Sequence, residues 1–145
     1  MTTDDTTPPD DATVDRALGA ALDELIDAIH ETKQAVWSAS DPERHRALEN
    51  LRLFLVDRVT EVGAAEAGID GRSPLLLSPT GHPSPNLAVR AGNDPSAMVQ
   101  ILVTDLEALG DDVRAQARRL AGRDEADFLT RLADGLDEHL AGLRA

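Results

Sequence analysis

Apolar residues recur along this chain with the spacing of one helix face. From Thr13 onward they fall at Val14, Leu18, Leu22, Leu25, Ile29 and Val36. Steps of three, four and seven place them in a single stripe. A second stripe runs through Leu48, Leu51, Leu55, Val59 and Val62. A third holds Met98, Leu102, Leu106, Leu109, Val113 and Leu120, and a fourth Leu129, Leu132, Leu136, Leu140 and Leu143. No stretch carries a strand signal, and no internal repeat is seen.

The punctuation between stripes sets their order. The first helix should end near Ser40, and Asp41-Pro42 offers an N-cap followed by proline at the first helical position. The second helix therefore starts at once, and the pair forms an antiparallel hairpin. It should run to about Ala67, with Gly68 as its stop. Asp94-Pro95 repeats the start signal for a third helix that Gly122 ends, and Asp124 or a neighbour caps a fourth. Between the hairpins, from Ile69 to Asn93, Pro74, Pro79, Pro83 and Pro85 forbid a continuous helix. Leu75-Leu76-Leu77 within it is too apolar to float free, and a short helical turn packed on the bundle or on a partner subunit is expected there. The fold class that follows is all-α: a ferritin-like four-helix bundle with one long crossover connection between helices two and three. Residues 1–11 read as a disordered acidic tail, and residues 12–145 as the one bundle domain.

Composition narrows the chemistry. Cysteine is absent, which removes disulfides, thiolate metal sites and cysteine nucleophiles. Neither a signal peptide nor an apolar run near the ~20 residues of a membrane span is visible, so a soluble, cytoplasmic protein with no membrane partner is expected. The formal charge of −13 repels phosphate backbones and attracts cations. Its ordinary role is solubility. Aromatics are confined to Trp37, Phe54 and Phe128, too few for base stacking, so no nucleic-acid partner is expected. There is no G-x-S-x-G, P-loop or G-x-G-x-x-G.

The second helix carries the candidate metal chemistry. His45 and Glu49 are four apart, as are Asp57 and Glu61, and each pair could offer two ligands to one ion. Carboxylate with imidazole suits iron, manganese or zinc. Against this, Arg44, Arg46, Arg52 and Arg58 lie close enough to pair with the same carboxylates, and the Glu-x-x-His of di-iron bundles does not occur. His30, His82 and His139 read as surface or boundary residues. Asp124, Glu125 and Asp127 suit the start of a helix, or a rim that draws cations into an oligomer.

From Leu22 to Leu143 the chain resembles the Dps family, small ferritin-like cages. Val36-Trp37 resembles the family's His-Trp pair. Asp57-Arg-Val-Thr-Glu61, closing in Ala67-Gly68, resembles its D-x-x-A-E-R run ending in Gly-Gly. Met98 through Leu109 and Asp124 through Leu140 resemble its last two helices. The resemblance implies a homo-oligomer, a dodecamer in that family, that binds, oxidises and stores iron and so protects against peroxide. It implies a ferroxidase site shared between subunits, with Asp57 and Glu61 from one and His45 and Glu49, matching an H-x-x-x-D pattern, from the other. Two departures stand. Val36 replaces the histidine before the tryptophan, and His45 lies three residues too close to Asp57 for the family's pattern. Two other readings therefore remain open. One is a ferritin-like bundle without a working iron site, serving as a structural or protein-interaction module. The other is a small monomeric or dimeric interaction domain that makes contact through Leu75-Leu76-Leu77.

Overall fold

The computed structural model describes residues 7–70 and 87–144, the side chains of 67, 69 and 70 excepted. Among the described residues the chain is all-helical: α1 (Asp11–Ser38), α2 (Pro42–Asp70), the single-turn α3 (Leu87–Arg90), α4 (Pro95–Arg119) and α5 (Asp124–Arg144). The starts are made by side chains that satisfy orphan amides. Asp10 accepts from the Thr13 amide at 2.9 Å and from the Thr13 hydroxyl at 2.7 Å, so α1 begins inside the stretch that composition assigned to a tail. Asp41 accepts from the Arg44 amide at 3.1 Å, and Asp94 from the Ser96 amide at 3.2 Å.

Two ends differ from expectation. Gly68 does not stop α2, which continues to Asp70. A glycine whose φ stays helical merely weakens a helix by about 1 kcal/mol. Gly122 does terminate: it adopts φ +94° in the turn before α5, with Pro8 packed 3.6 Å from where a Cβ would sit. The turn expected at Leu75-Leu76-Leu77 lies outside the described residues. Within the connection the structure places α3, buried at Leu87 and followed by Gly92 and Asn93, both at φ 61°.

The long helices pack in a closed order: α1 on α2 and α4, α5 on α4 and α2, with α3 against α1 and α4. Contacts fix their directions. His45 meets Val36 while Gly19 meets Glu66, so α1 and α2 are antiparallel. Glu31 meets Asp105 while Glu24 meets Asp112, so α1 and α4 are antiparallel. Arg114 pairs with Asp134 and Asp137 while Glu107 pairs with Arg144, and α4 and α5 are antiparallel. Phe54 stacks on His139 while Arg44 lies near Leu143, which makes α2 and α5 antiparallel too. It follows that α2 and α4, which share α1 and α5 as neighbours, run in the same direction.

The core is the four sequence stripes facing inward. Leu18, Leu25, Leu48, Leu51, Leu55, Leu102, Leu129, Leu136 and Leu140 have no exposed surface. Each such side chain contributes roughly 1.5–3 kcal/mol by leaving water. Ile29 and Val59 sit half-buried at its margin. Among the described residues no helix is long and apolar enough to cross a membrane.

Candidate functional site

The four α2 side chains with metal-ligand chemistry are distributed along the helix surface. Asp57 and His45 are separated by 57 − 45 = 12 residues, or about 18 Å of helix rise. One ion cannot take ligands from both pairs within a single copy. Each group also has a local role. His45 places Nδ1 3.2 Å from the Val36 carbonyl oxygen. With its proton on Nδ1 it donates to the end of α1, where the last turn carries no basic residue of its own. Glu49 is clasped by Arg52, whose Nε lies 3.0 Å from Oε2 and whose Nη2 reaches Oε1. That hydrogen-bonded guanidinium holds the Glu49 carboxyl below the usual range. Glu61 pairs with Arg58 at 2.9 Å, and Arg58 also lies over the Phe54 ring, 5.2 Å from its centroid. Asp57 is exposed, with no ion-pair partner among the described residues. No three of His, Asp and Glu come together there as a metal-ligating group.

Val36 lies inside the core, 6% exposed, while the next residue, Trp37, is 74% exposed with the Lys33 ammonium 5.3 Å from its ring. His139 is half-buried against Phe54, and burial lowers its pKa. His30 is exposed, and His82 lies outside the described residues.

The outward face of α2 has its own pattern. Arg46, Asn50, Leu53, Asp57, Thr60 and Ala64 follow one another at helical spacing, and all are exposed. Leu53, 48% exposed, sits at the middle of this stripe with Val56 on its flank. Toward the N-terminal side the stripe carries the Arg46 guanidinium, which has no ion-pair partner among the described residues. Toward the C-terminal side it carries the Asp57 carboxylate, with Glu61 beside it.

A second charged locus lies in the seam between α1 and α4, and sequence reading missed it. Glu24, Asp27 and Glu31 from α1 and Asp105 and Asp112 from α4 line one groove, floored by Ala28, Leu106 and Leu109. Glu24 and Asp112 share one stretch of this groove, and Glu31 and Asp105 another. Glu31 is only 7% exposed, the most buried carboxylate among the described residues. Arg90 of α3 closes one end, its Nη1 3.1 Å from Glu31 and 2.9 Å from Asp105. Burial, then the neighbouring Asp112 charge, pushes Glu24 up to about 7. Burial, then Asp105, pushes Glu31 up to about 7, with Arg90 opposing. The signal was present but silent. Glu24 and Glu31 are seven apart, as are Asp105 and Asp112, beside the small residues Ala21, Ala28 and Ala35. Only the antiparallel register makes the two sevens meet.

Compared with family models, curated proteins and solved structures, the chain gives no match.

Proposed function

We propose that the chain is a ferritin-like helical bundle that acts as a structural, self-associating module rather than as a metal enzyme. Support for the bundle class comes from the directions of the helices. With α2 and α4 parallel and every packed pair of long helices antiparallel, the directions are those expected of two hairpins in a ferritin-like fold. The observation that carries the functional reading is the outward stripe of α2. An exposed Leu53 lies between a basic end at Arg46 and an acidic end at Asp57 and Glu61. A two-fold axis near Leu53 sets each Leu53 on its mate and each Arg46 over against the other copy's Glu61. Such an isologous contact is self-complementary. Glu49 and Glu61 are engaged by Arg52 and Arg58, which favours a surface role for them over metal ligation.

A charge-reversal cycle tests the stripe. Arg46→Glu should weaken self-association about tenfold, since each exposed pair contributes roughly 0.2–1 kcal/mol and symmetry doubles it. Adding Glu61→Arg should restore it. Loss without rescue would mean that these charges do not face each other.

Iron binding and oxidation by a Dps-type oligomer is the second reading. It is favoured by Asp57, which lies on the same exposed stripe next to Glu61 and has no ion-pair partner among the described residues. Under it, ferrous iron added anaerobically and then exposed to peroxide is oxidised faster than in buffer. Asp57→Ala with Glu61→Ala removes that gain. Equal rates in protein and buffer leave the structural module alone.

A further inference from the structure

Three of the four large apolar side chains left exposed among the described residues, Trp37, Leu53 and Val56, belong to the α1–α2 hairpin; the fourth is Val89 of α3. Leu53 and Val56 lie on the α2 stripe and its flank, whereas Trp37 lies on α1. Trp37 ends a second run of outward positions, Asp23, Ile26, His30, Lys33 and Trp37, spaced by three and four and exposed except for the half-buried Ile26. Other sides of α1 are occupied. Glu24, Asp27 and Glu31 turn toward α4, and Gln34 accepts from the Ala88 amide of α3 at 3.4 Å. On α2 the side toward α5 is taken by Phe54 and Ala47. The two runs therefore open to one face, the outward face of the hairpin.

The charges on this face fall into two ends. Lys33 and Arg46 lie toward the α1–α2 turn, and Asp23, Asp57 and Glu61 toward the opposite end. Neither Lys33 nor Asp23 has an ion-pair partner among the described residues. They stand five residues either side of Ala28, so the charge pattern of α1 is centred at that level. Val36 lies beside His45. Eight residues back along α1 is Ala28, and eight residues on along α2 is Leu53, so the antiparallel helices bring the two to one level. The second α1–α2 contact, Gly19 with Glu66, moves that level by only about two residues. The charges of α1 and the stripe of α2 thus call independently for the same two-fold axis.

We propose that a second copy of the chain docks across the whole outward face of the α1–α2 hairpin, with Lys33 set opposite Asp23 of the other copy and Trp37 covered at each end of the contact. This rests on the self-association through α2 and adds α1 to it. The two-fold axis lays the positive end of one face on the negative end of the other, and does so twice. With a net charge of −13 two copies repel overall, and a face that carries its own cations lowers that cost. Trp37 supplies the large, rigid side chain that carries binding energy at interfaces. The Lys33 ammonium, 5.3 Å from its ring centroid, is held beside it.

Trp37 is the only tryptophan in the chain, so its fluorescence reads this face directly. Raising the concentration of the full chain through the association range should shift its emission to the blue and reduce quenching by acrylamide. The Leu53→Glu chain should keep the emission and quenching of an exposed indole throughout. Lys33→Glu should weaken association about tenfold, since an exposed pair contributes little and symmetry doubles it. Adding Asp23→Lys should restore it. Trp37→Ala, at a position already 74% exposed, should weaken association by at least about tenfold with far-UV circular dichroism unchanged. A wild-type chain that stays single at every concentration removes the self-association reading and this face together. An assembled wild type whose tryptophan is quenched as readily as in Leu53→Glu overturns this face and leaves the α2 contact standing. So does a loss in Lys33→Glu that Asp23→Lys does not restore, or a Trp37→Ala chain that associates as wild type does.

Discussion

At the scale of single residues, packing here is set by a few close approaches. A Cβ added at Gly135 would lie 2.7 Å from Cε1 and Cζ of Phe54. That ring is itself held between His139, with centroids 4.7 Å apart, and the Arg58 guanidinium. It has little room to yield. Gly135→Ala should therefore destabilise by about 1–3 kcal/mol, the usual cost of overpacking, read as a lower urea midpoint. Gly142, seven residues further along α5, meets nothing within 4 Å. Gly142→Ala should raise stability by up to about 1 kcal/mol through helix propensity alone, read as a higher urea midpoint. A matching loss at both positions would mean that the α2–α5 contact is not where the structure places it. Single residues also show what surrounds the candidate metal ligands that spacing picked out. Residues four apart share a face, but spacing does not say what else lies on that face. Arg52 and Arg58 each sit three residues from a candidate carboxylate and bind it.

At the scale of helices, most of the architecture could be read from the sequence. The stripes of α1, α4 and α5 became the core almost residue for residue, because a helix with one apolar face has one stable orientation. Asp41-Pro42 and Asp94-Pro95 marked two starts correctly, since capping is a local interaction. Four features resisted reading. Asp10 caps α1 from within a polar stretch, because a cap needs no apolar company. Helix α2 runs through Gly68, since a lone glycine is permissive and not a command to stop. The carboxyl pairs of the α1–α4 seam needed the tertiary register, which no local pattern encodes. The outward side of α2 was also hidden, because Leu53 and Val56 broke its simple two-sided pattern without forming a second stripe. Leu53→Glu places a charge at the centre of the stripe, at a position already 48% exposed. It should abolish self-association while leaving far-UV circular dichroism and the urea midpoint within about 0.5 kcal/mol of wild type.

At the scale of the whole molecule, charge governs the response to conditions. Glu24 and Glu31, ordinarily near 4.5, are raised to about 7 in the folded chain. The folded state therefore holds more protons than the unfolded state between those values. The stability they contribute is fully present below about pH 4.5 and is lost as pH rises through about 7. Glu49 has the opposite sign. Its pKa is lowered by Arg52, so its contribution is lost as pH falls below the carboxylate range. Urea midpoints measured from pH 5 to 8.5 should thus decline toward alkaline pH, and the decline should vanish in the Glu24→Gln, Glu31→Gln variant. A net charge of −13 adds a general repulsion. Raising salt from low to physiological strength should increase the midpoint at pH 8 by screening it.

The central claim is that this helical bundle works by associating with copies of itself through the outward stripe of α2. Sedimentation equilibrium of the full chain across a wide concentration range tests it most directly. The account predicts an even multiple of the 15.5 kDa chain mass, reduced to one chain by Leu53→Glu. A mass of one chain at every concentration, or an assembly that Leu53→Glu leaves intact, would contradict it.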